Sequence, residues 1–378
     1  MNIIYEYKYL NNNLLEKHII DNSSLHKYFT QDWGRVKASQ YCGILNFDNQ
    51  DFYILPKIAN HNDEQNLNVF IYMLMYAYDV KLSNEQIASC QNQEKHTILE
   101  VFVQMFASGL LQELKKGIYK KYITEQNNLS VLKGKYLINE NLKYNFIKNR
   151  IYCEYDEFSP NNELNQFFLY AVKYLQKFVK DKKLLKQCEL IFDEVESWQI
   201  DINKLNIHFD RLNVRFKTSF EVAILLLKQS IPLFNQDKKS FAFLFDMNVL
   251  FEKFIARIVK EINHKAQIQN SYNFNDLLLK PDIILENQII DTKYKKLKSI
   301  KELKQSDKLQ AFAYGVNYDV RNVMLLYPKH LDEIKYNLVL GKEDKKVELK
   351  IQSIDLNYDG NDFTEYIETI KHKVREIV

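Results

Sequence analysis

The fold of this 378-residue chain is decided by residues 279–315, which read LKPDIILENQIIDTKYKKLKSIKELKQSDKLQAFAYG. Two short apolar runs flank the polar pair Glu286-Asn287, and this pattern predicts a tight β-hairpin. The end of the stretch, from Asp307 onward, has the apolar spacing of a helix. The stretch therefore predicts a small sheet flanked by helices, an α/β arrangement.

The predicted hairpin brings charged side chains together. Side chains alternate across a strand, so Asp291 and Lys293 share one face while Thr292 points to the other. If the turn closes as predicted, Asp282 at the start of the hairpin lies beside Asp291 at its end. Two carboxylates and a lysine suit a Mg²⁺-dependent phosphodiesterase, because oxygen ligands hold the ion, which polarises the phosphate and activates a water. The lysine orients that water or offsets transition-state charge. The alternative is a solvent-facing Asp-Lys ion pair on an edge strand.

Three more polar side chains are candidates for the same site. Glu252 lies among apolar neighbours on an amphipathic helix predicted from about residue 245 to 263, which places it near the core; the alternative is an exposed helical glutamate. Gln310 and Tyr314 lie four residues apart, so they share one face of the helix that contains them. They either reach the site or DNA, or form a hydrogen-bonded pair on the helix surface.

A local excess of lysine follows the hairpin. Residues 292–308 hold seven lysines against two acidic residues, a local charge of +5, whereas the whole chain carries only +3. Such a cluster suits a phosphate backbone, although a solvated loop has the same composition. Net charge alone gives no argument for nucleic-acid binding.

The rest of the chain alternates between strand-like and helical patterns. We predict a multi-domain α+β protein, divided at the polar segment NQDKKS, residues 235–240, with no internal repeats. The predicted parts are a β-rich region over 1–58, a helical region over 64–118, strands over 119–155, helices over 160–235 and a mixed region over 240–378.

Composition and missing motifs exclude several classes of protein. Hydrophobic residues make up 46% and charged residues 27%, which is typical of folded globular chains. The four cysteines are widely spaced and form no CxxC pair, so neither a zinc ribbon nor a disulfide framework is expected. A signal peptide and an apolar run of bilayer length are absent from the sequence, which predicts a cytoplasmic protein without membrane contact. The chain contains no P-loop, GxGxxG, HExxH or GxSxG motif, so we expect it to bind no nucleotide itself.

The motif residues resemble a known family. PDII at 281–284, IIDTKYK at 289–295 and KLQAFAYG at 308–315 are similar to the PD-(D/E)xK nuclease superfamily, and in particular to the McrC family of the McrBC modification-dependent restriction systems. Five other segments of that family occur here in the same order, so the resemblance covers nearly the whole chain. These segments are DFYILPKI at 51–58, FASGLLQELKKGIYKKY at 106–122, LKGKYLINENL at 132–142, RIYCEYDEFSPNNELNQFFLYAV at 150–172 and LFDMNVLFEKFIARIV at 244–259.

The resemblance implies a role for each candidate residue and for the chain. Asp282, Asp291 and Lys293 correspond to the catalytic triad, with the two aspartates as ligands of Mg²⁺ or Mn²⁺, and Glu252, Gln310 and Tyr314 are further site residues. Residues 240–378 would form a PD-(D/E)xK restriction-endonuclease-like domain that cuts double-stranded DNA. Residues 1–235 would be an adaptor that docks on a McrB-like AAA+ GTPase hexamer and stimulates its GTP hydrolysis.

Two other functions are compatible with the residues. One is a stand-alone or repair-type nuclease of the same fold, which the long N-terminal region disfavours because no nucleic-acid-binding module is recognisable in it. The other is a non-catalytic activator of an AAA+ motor with a decayed nuclease domain, which the intact Asp282, Asp291 and Lys293 disfavour.

Overall fold

The computed structural model describes residues 2–47, 50–56, 58, 63–79, 98–147, 149–235, 238–297, 299–329, 333–342 and 345–378. Three parts of the sequence discussed above lie outside these ranges. They are Lys57 of the segment DFYILPKI, Cys90, which is one of the four cysteines, and residues 80–97 of the predicted helical region. The other three cysteines, Cys42, Cys153 and Cys188, are buried free thiols. Among the described helices, none has the length and apolar character needed to cross a lipid bilayer.

The described residues form two compact units. Unit 1 combines residues 1–97 with 231–378, and unit 2 contains residues 98–230. This division differs from the predicted boundary at 235–240. Two strands reach into that boundary, β9 (Ser230–Asn235) and β10 (Lys238–Asp246), and they lie side by side in one sheet. The assignment of 1–235 to docking and of 240–378 to cleavage stays a prediction.

The first sheet of unit 1 has five strands, three from the N-terminal residues and two from residues 230–246. Besides β9 and β10 it contains β1 (Asn2–Tyr5), β4 (Tyr41–Phe47) and β5 (Gln50–Leu55), in the order β1-β5-β4-β10-β9. Strand β10 pairs antiparallel with β4, although about 200 residues of chain separate them. The sheet therefore holds the N-terminal residues against the C-terminal part.

A helix and a small hairpin complete this part of unit 1. The helix α1 (Asn13–Asp21) lies within the region predicted to be β-rich, and that pattern did not predict it. Asn12 caps the helix by accepting a hydrogen bond from the backbone N–H of Leu15 at 3.0 Å. The hairpin consists of β2 (Phe29–Asp32) and β3 (Arg35–Ala38), which pair antiparallel. One face of each element is buried in the same apolar core.

The second sheet of unit 1 has six strands and carries the predicted site. Its order is β11-β14-β15-β16-β18-β17, and β15, β16 and β18 run parallel while the others pair antiparallel. The segments QII, NVMLLYP and VELKIQSI all lie in strands of this sheet. The strands are β11 (Gln267–Ile268), β14 (Ile283–Ile284), β15 (Gln288–Thr292), β16 (Asn322–Pro328), β17 (Lys335–Leu340) and β18 (Val347–Ile354), and a separate hairpin contains β12 (Tyr272–Phe274) and β13 (Leu277–Leu279).

Four helices of unit 1 surround these sheets. They are α2 (Asp63–Ala77), α8 (Met247–Ile262), α9 (Gln305–Asn317) and α10 (Phe363–Ile377). The predicted amphipathic helix is confirmed as α8, which buries Phe254, Ile255, Ile258 and Val259. Helices α2, α8 and α10 pack through aromatic rings, with centroids 5.6 Å apart for Tyr76 and Phe254 and 5.4 Å apart for Tyr72 and Tyr366. Helix α9 packs on β15, β16 and β18.

Unit 2 combines a helical part with a three-stranded sheet. The sheet has the order β6-β8-β7. Gly117 lies just beyond the helix that ends at Lys115 and adopts a φ of 122°, a conformation that favours glycine after a helix. The elements are α3 (Ile98–Lys115), β6 (Lys121–Leu129), β7 (Lys135–Tyr136), α4 (Ile138–Tyr144), β8 (Ile151–Ser159), α5 (Glu163–Leu175), α6 (Lys183–Ile191) and α7 (Lys217–Gln229).

Candidate functional site

The predicted hairpin places two aspartates at neighbouring positions. Strands β14 and β15 pair antiparallel, with Ile283 opposite Ile290. The backbone N–H of Leu285 donates to the carbonyl of Gln288 at 2.8 Å, which closes the two-residue turn at Glu286-Asn287 as predicted. The next position in this register sets Asp282 beside Asp291.

Asp282 is held by the strand that carries Asp291. Its Oδ2 accepts two hydrogen bonds from Thr292, one from the backbone N–H and one from the hydroxyl, both at 2.7 Å. The sequence predicts only that Thr292 points to the face opposite Asp291 and Lys293. In the structure this threonine fixes the Asp282 carboxylate, so it is a positioning residue of the site.

Asp291 and Lys293 form a buried ion pair. Lys293 Nζ lies 2.5 Å from Asp291 Oδ2, which confirms that the two side chains share one face of the strand. Asp291 is only 2% exposed. Burial, together with the nearby charge of Asp282, raises the pKa of Asp291 to about 6 even though Lys293 acts in the opposite direction. Burial alone would lower the pKa of Lys293, but the charge of Asp291 outweighs it and the pKa is raised. Lys293 is therefore a cation at neutral pH.

Lys293 also begins a chain of hydrogen bonds through α9. Its Nζ donates to Gln310 Oε1 at 3.1 Å, and Gln310 Nε2 donates to the Tyr314 hydroxyl at 2.7 Å. The Tyr314 hydroxyl in turn donates to the carbonyl of Lys280 at 3.0 Å. Gln310 and Tyr314 are thus bonded to each other and reach the site at the same time. The chain sets the Gln310 amide so that its oxygen faces the ammonium group.

Glu252 approaches the site from α8. Its Oε1 accepts a hydrogen bond from the side-chain amide of Gln269, and the backbone N–H of Gln269 donates to the carbonyl of Asp282 at 2.9 Å. Burial and the negative charge of Asp282 raise the pKa of Glu252. The structure therefore places Glu252 near Asp282, as expected. It also adds Gln269, which no local pattern in the sequence marks.

A second ion pair lies next to the first. Lys295 Nζ contacts Asp307 Oδ2 at 2.7 Å, and Asp307 is 8% exposed. Asp307 contributes to the raised pKa values of both Asp291 and Lys293, after larger effects from burial and closer charges. Lys295 lies beyond the end of β15, so strand alternation does not predict its position, and the sequence marks it only as part of the basic cluster.

The carboxylates fit a hard divalent cation. Among the residues that the structure describes, no group of three or more His, Cys, Asp or Glu side chains is arranged to hold a metal ion. Asp282 and Asp291 alone supply two oxygen donors, and Mg²⁺ commonly uses one or two carboxylates together with waters and substrate phosphate. The charge of Asp282 raises the pKa of both Asp291 and Glu252. A bound cation would relieve this repulsion, so the donor set matches Mg²⁺ or Mn²⁺.

Comparison with known families identifies the chain. Residues 36–328 match the family described as McrBC 5-methylcytosine restriction system component. The match spans more than half of the chain. The chain belongs to the McrBC family. This match includes Asp282, Asp291, Lys293, Glu252, Gln310 and Tyr314. No curated protein sequence matches this McrBC family member.

Solved structures show the same fold. One match is a chain in a half-complex from the tetradecameric assembly of Thermococcus gammatolerans McrB AAA+ hexamers with bound McrC. The similarity covers 100% of the present chain and 99% of the matched chain, with a TM-score of 0.62 and 21% sequence identity. The chain is also similar over 68% of its length to 86% of a chain in the Thermococcus gammatolerans McrBC complex, with a TM-score of 0.51 and 24% identity. At these identities the similarity establishes the fold that this McrBC family member shares with them.

Proposed function

We propose that this chain is the DNA-cutting subunit of a modification-dependent restriction system, and that residues 240–378 form its PD-(D/E)xK endonuclease domain. The observation that carries the proposal is the convergence of Asp282, Asp291 and Lys293 on the β14–β15 hairpin, with Lys293 2.5 Å from Asp291. A buried carboxylate, Asp291, that interacts with a half-buried one, Asp282, beside a lysine is costly for a fold to maintain. Perturbed groups of this kind are concentrated at functional sites.

Asp282 and Asp291 would hold the Mg²⁺ ion, and Glu252 would add negative charge nearby. When bound, the ion polarises the scissile phosphate and lowers the pKa of a water. Thr292 contributes by fixing the Asp282 carboxylate through its two hydrogen bonds. The turn bond of the hairpin and the Thr292 hydrogen bonds together fix the position of Asp282 beside Asp291.

Lys293 would act on the phosphate as a cation. Its raised pKa means that it carries a proton at neutral pH, so it donates hydrogen bonds and cannot serve as a general base there. As a cation it would offset charge on the transition-state phosphorane, and it would also orient the attacking water by donating a hydrogen bond. Gln310 and Tyr314 would orient it through their chain of hydrogen bonds.

Unit 2 has the surface properties of a docking element for the AAA+ partner. Helix α4 has no buried residue, and the sheet around it presents large apolar side chains to solvent. Phe146 is 92% exposed and Ile147 75%. Apolar surfaces of this kind mark interaction sites. The ten exposed apolar residues here are Tyr122, Val131, Leu132, Tyr136, Ile138, Leu142, Tyr144, Phe146, Ile147 and Phe158.

The partner proposed for this surface is a McrB-like AAA+ GTPase hexamer. The matched Thermococcus assemblies contain McrB hexamers with bound McrC. The chain would dock on such a ring and stimulate its GTP hydrolysis. Recognition of the modified cytosine and movement along DNA would belong to the partner.

The decisive experiment is a cleavage assay on plasmid DNA with and without 5-methylcytosine. We expect double-strand breaks only when this chain, its cognate AAA+ GTPase, GTP and Mg²⁺ are all present and the DNA is modified. Rapid cutting by the chain and Mg²⁺ alone would favour a stand-alone nuclease. GTPase stimulation without any cleavage by the complete mixture would favour a non-catalytic activator.

A further inference from the structure

The tip of the β2–β3 hairpin presents a tryptophan to solvent. Trp33 is 98% exposed. Asp32 pairs with Arg35, so Trp33 and Gly34 form a two-residue loop, with φ of 49° and 77°. A loop with positive φ at both positions favours Asn-Gly or a similar pair, and a bulky residue there is an outlier. Trp33 therefore combines backbone strain with the exposure of a large apolar side chain, and no contact within the hairpin accounts for either.

The hairpin has two different faces. Phe29, Val36 and Ala38 point to one side and are buried in the core that includes α1. The other side carries Thr30, Asp32, Arg35 and Lys37, which are paired across the strands as Thr30 with Lys37 and Asp32 with Arg35. This second side, together with Trp33 and Tyr9, is referred to below as the Trp33 face.

Tyr9 extends the Trp33 face and contacts the charged side chains of Asp32 and Arg35. It forms an isolated antiparallel bridge with Lys37, and the Arg35 guanidinium lies 5.0 Å from the centre of its ring. The Tyr9 hydroxyl donates a hydrogen bond to Asp32 at 2.5 Å, so the acidic group of this face is engaged internally. Arg35 donates to the carbonyl of Leu10 at 2.7 Å. The tip therefore projects from a rigid base.

The surroundings of the Trp33 face are basic. Residues 7–38 contain five basic residues, Lys8, Lys17, Lys27, Arg35 and Lys37, against three acidic ones, Glu16, Asp21 and Asp32. Of the acidic residues, Glu16 is buried, accepts a hydrogen bond from the backbone N–H of Val36 at 3.0 Å and forms an ion pair with Arg35 at 3.8 Å, which leaves the lysines as the unpaired part of the count. The exposed aromatic groups are thus set among positive charge.

We propose that the Trp33 face is a second DNA-binding surface of the chain, in which Trp33 enters a groove and contacts bases while Lys37 and its basic neighbours contact phosphates. This rests on the proposed function, because the ligand is the double-stranded DNA that the nuclease would cut. A two-stranded β-ribbon fits a DNA groove. Apolar side chains inserted between base steps partially unstack the bases and bend the DNA duplex.

Charge favours DNA over a protein as the ligand. An exposed tryptophan alone suits either, since tryptophan is also prominent at protein interfaces. Lysine, however, is depleted at protein interfaces, whereas lysine and arginine beside an aromatic side chain are typical of nucleic-acid surfaces.

The two tryptophans of the chain, Trp33 and Trp198, allow a direct test. In full-length Trp198→Phe, Trp33 is the remaining tryptophan and reports on its own surroundings. We expect its emission to fall as a short DNA duplex is added in EDTA, and to saturate at the same concentration as the anisotropy of the labelled duplex. Trp33→Ala should weaken DNA binding about tenfold, as for the loss of one base-stacked aromatic group. Leu14→Ala, at an exposed apolar position on α1, is the matched control and should bind like the wild type.

A second measurement uses salt. Lys37→Gln should reduce the slope of log K against log salt by about 0.9, the value for one phosphate contact. Lys335→Gln, at an exposed position on β17, should leave the slope unchanged. Unchanged Trp33 emission at saturating DNA would overturn the inference, and a response to the cognate AAA+ GTPase in place of DNA would assign the tip to that protein.

The outcome is distinguishable from that of the proposed function. If the wild type cuts DNA with its partner, while Trp33→Ala binds and cuts like the wild type, only the Trp33 inference fails. If Trp33 responds to DNA but the complete mixture never cuts, the Trp33 face stands and the nuclease assignment fails.

Discussion

Tyr294, the residue that follows Lys293, donates a hydrogen bond of 2.7 Å to Glu6, which lies 288 positions earlier in the chain. Tyr294 is 2% exposed and Glu6 is 3% exposed. Glu6 directly follows β1 of the five-stranded sheet, whereas Tyr294 lies just beyond β15 of the six-stranded sheet. A buried polar contact thus joins the two sheets of unit 1 next to the candidate site. The N-terminal residues support that site.

Removal of this contact should destabilise the protein. We expect Tyr294→Phe to lower the free energy of unfolding by about 1 to 3 kcal/mol, because it deletes a buried hydrogen bond to an acidic group without leaving a large cavity. The measurement is urea unfolding followed by circular dichroism. Tyr336→Phe, at an exposed position on β17, is the control and should change stability by less than about 0.5 kcal/mol. Equal stability of the two variants would contradict this reading of the contact.

The second prediction separates cleavage from docking. Asp282→Asn, Asp291→Asn and Lys293→Gln should each reduce DNA cleavage about a thousandfold or more, because the aspartates would hold the ion and the lysine would offset charge on the phosphate. Each should stimulate the GTPase of the partner like the wild type, since docking is assigned elsewhere. The assay measures cleavage and GTP hydrolysis in the same mixture.

Glu286→Gln provides the matched control for this series. Glu286 is exposed in the turn of the same hairpin, so its substitution removes a carboxylate without touching the site. It should cut normally. A folded Asp291→Asn protein that failed to stimulate the GTPase would show that the site and the docking surface are not separate.

Local patterns in the sequence were sufficient for the elements that carry the site. The hairpin turn at Glu286-Asn287 and the pairing of Gln310 with Tyr314 follow from periods of two and of 3.6 residues, which need no tertiary information. The structure confirms both, through the bond that closes the turn and the 2.7 Å bond between the two side chains. The Asp291–Lys293 contact was predictable for the same reason.

Contacts between distant residues were not predictable from one sequence. Glu6 gives no local sign that it meets Tyr294, and Gln269 gives none that it meets Glu252. The polar composition of residues 235–240 predicted a boundary there. Strand β10 pairs with β4 through residues 241–246, and no local pattern in the sequence predicts that pairing.

The third prediction concerns the hydrogen bonds that orient Lys293. Tyr314→Phe removes the donor to the Lys280 carbonyl and the acceptor of the Gln310 amide, so that amide can rotate. We expect cleavage to fall about tenfold, well short of the loss in Lys293→Gln, because the ammonium group remains. Gln310→Ala should have a similar effect, and the double variant should be no worse than either single one. Additive losses would show that the two residues act independently.

The fourth prediction concerns the metal. EDTA should abolish cleavage and Mg²⁺ should restore it. Mg²⁺ at about ten times its Kd should also raise the melting temperature by about 2 °C, because the ion binds the folded carboxylates. Asp282→Asn should lose this shift, whereas Glu286→Gln should keep it. Full activity in EDTA, or a shift that persists in Asp282→Asn, would contradict the assignment of the two aspartates as ligands.

The last prediction concerns the apolar surface of unit 2. Phe146 and Ile147 are largely exposed, so Phe146→Ala with Ile147→Ala should leave the stability of the chain within about 0.5 kcal/mol of the wild type. Aromatic side chains at the centre of an interface commonly contribute 2 kcal/mol or more, so stimulation of the GTPase should require roughly 30-fold more of this variant. Leu190→Ala, at a position of α6 that is 75% exposed in the same unit, is the control and should stimulate normally. The Mg²⁺-dependent rise in melting temperature should persist in all of these proteins, because the carboxylates lie in unit 1. Normal stimulation by the double variant would place the docking surface elsewhere on the chain.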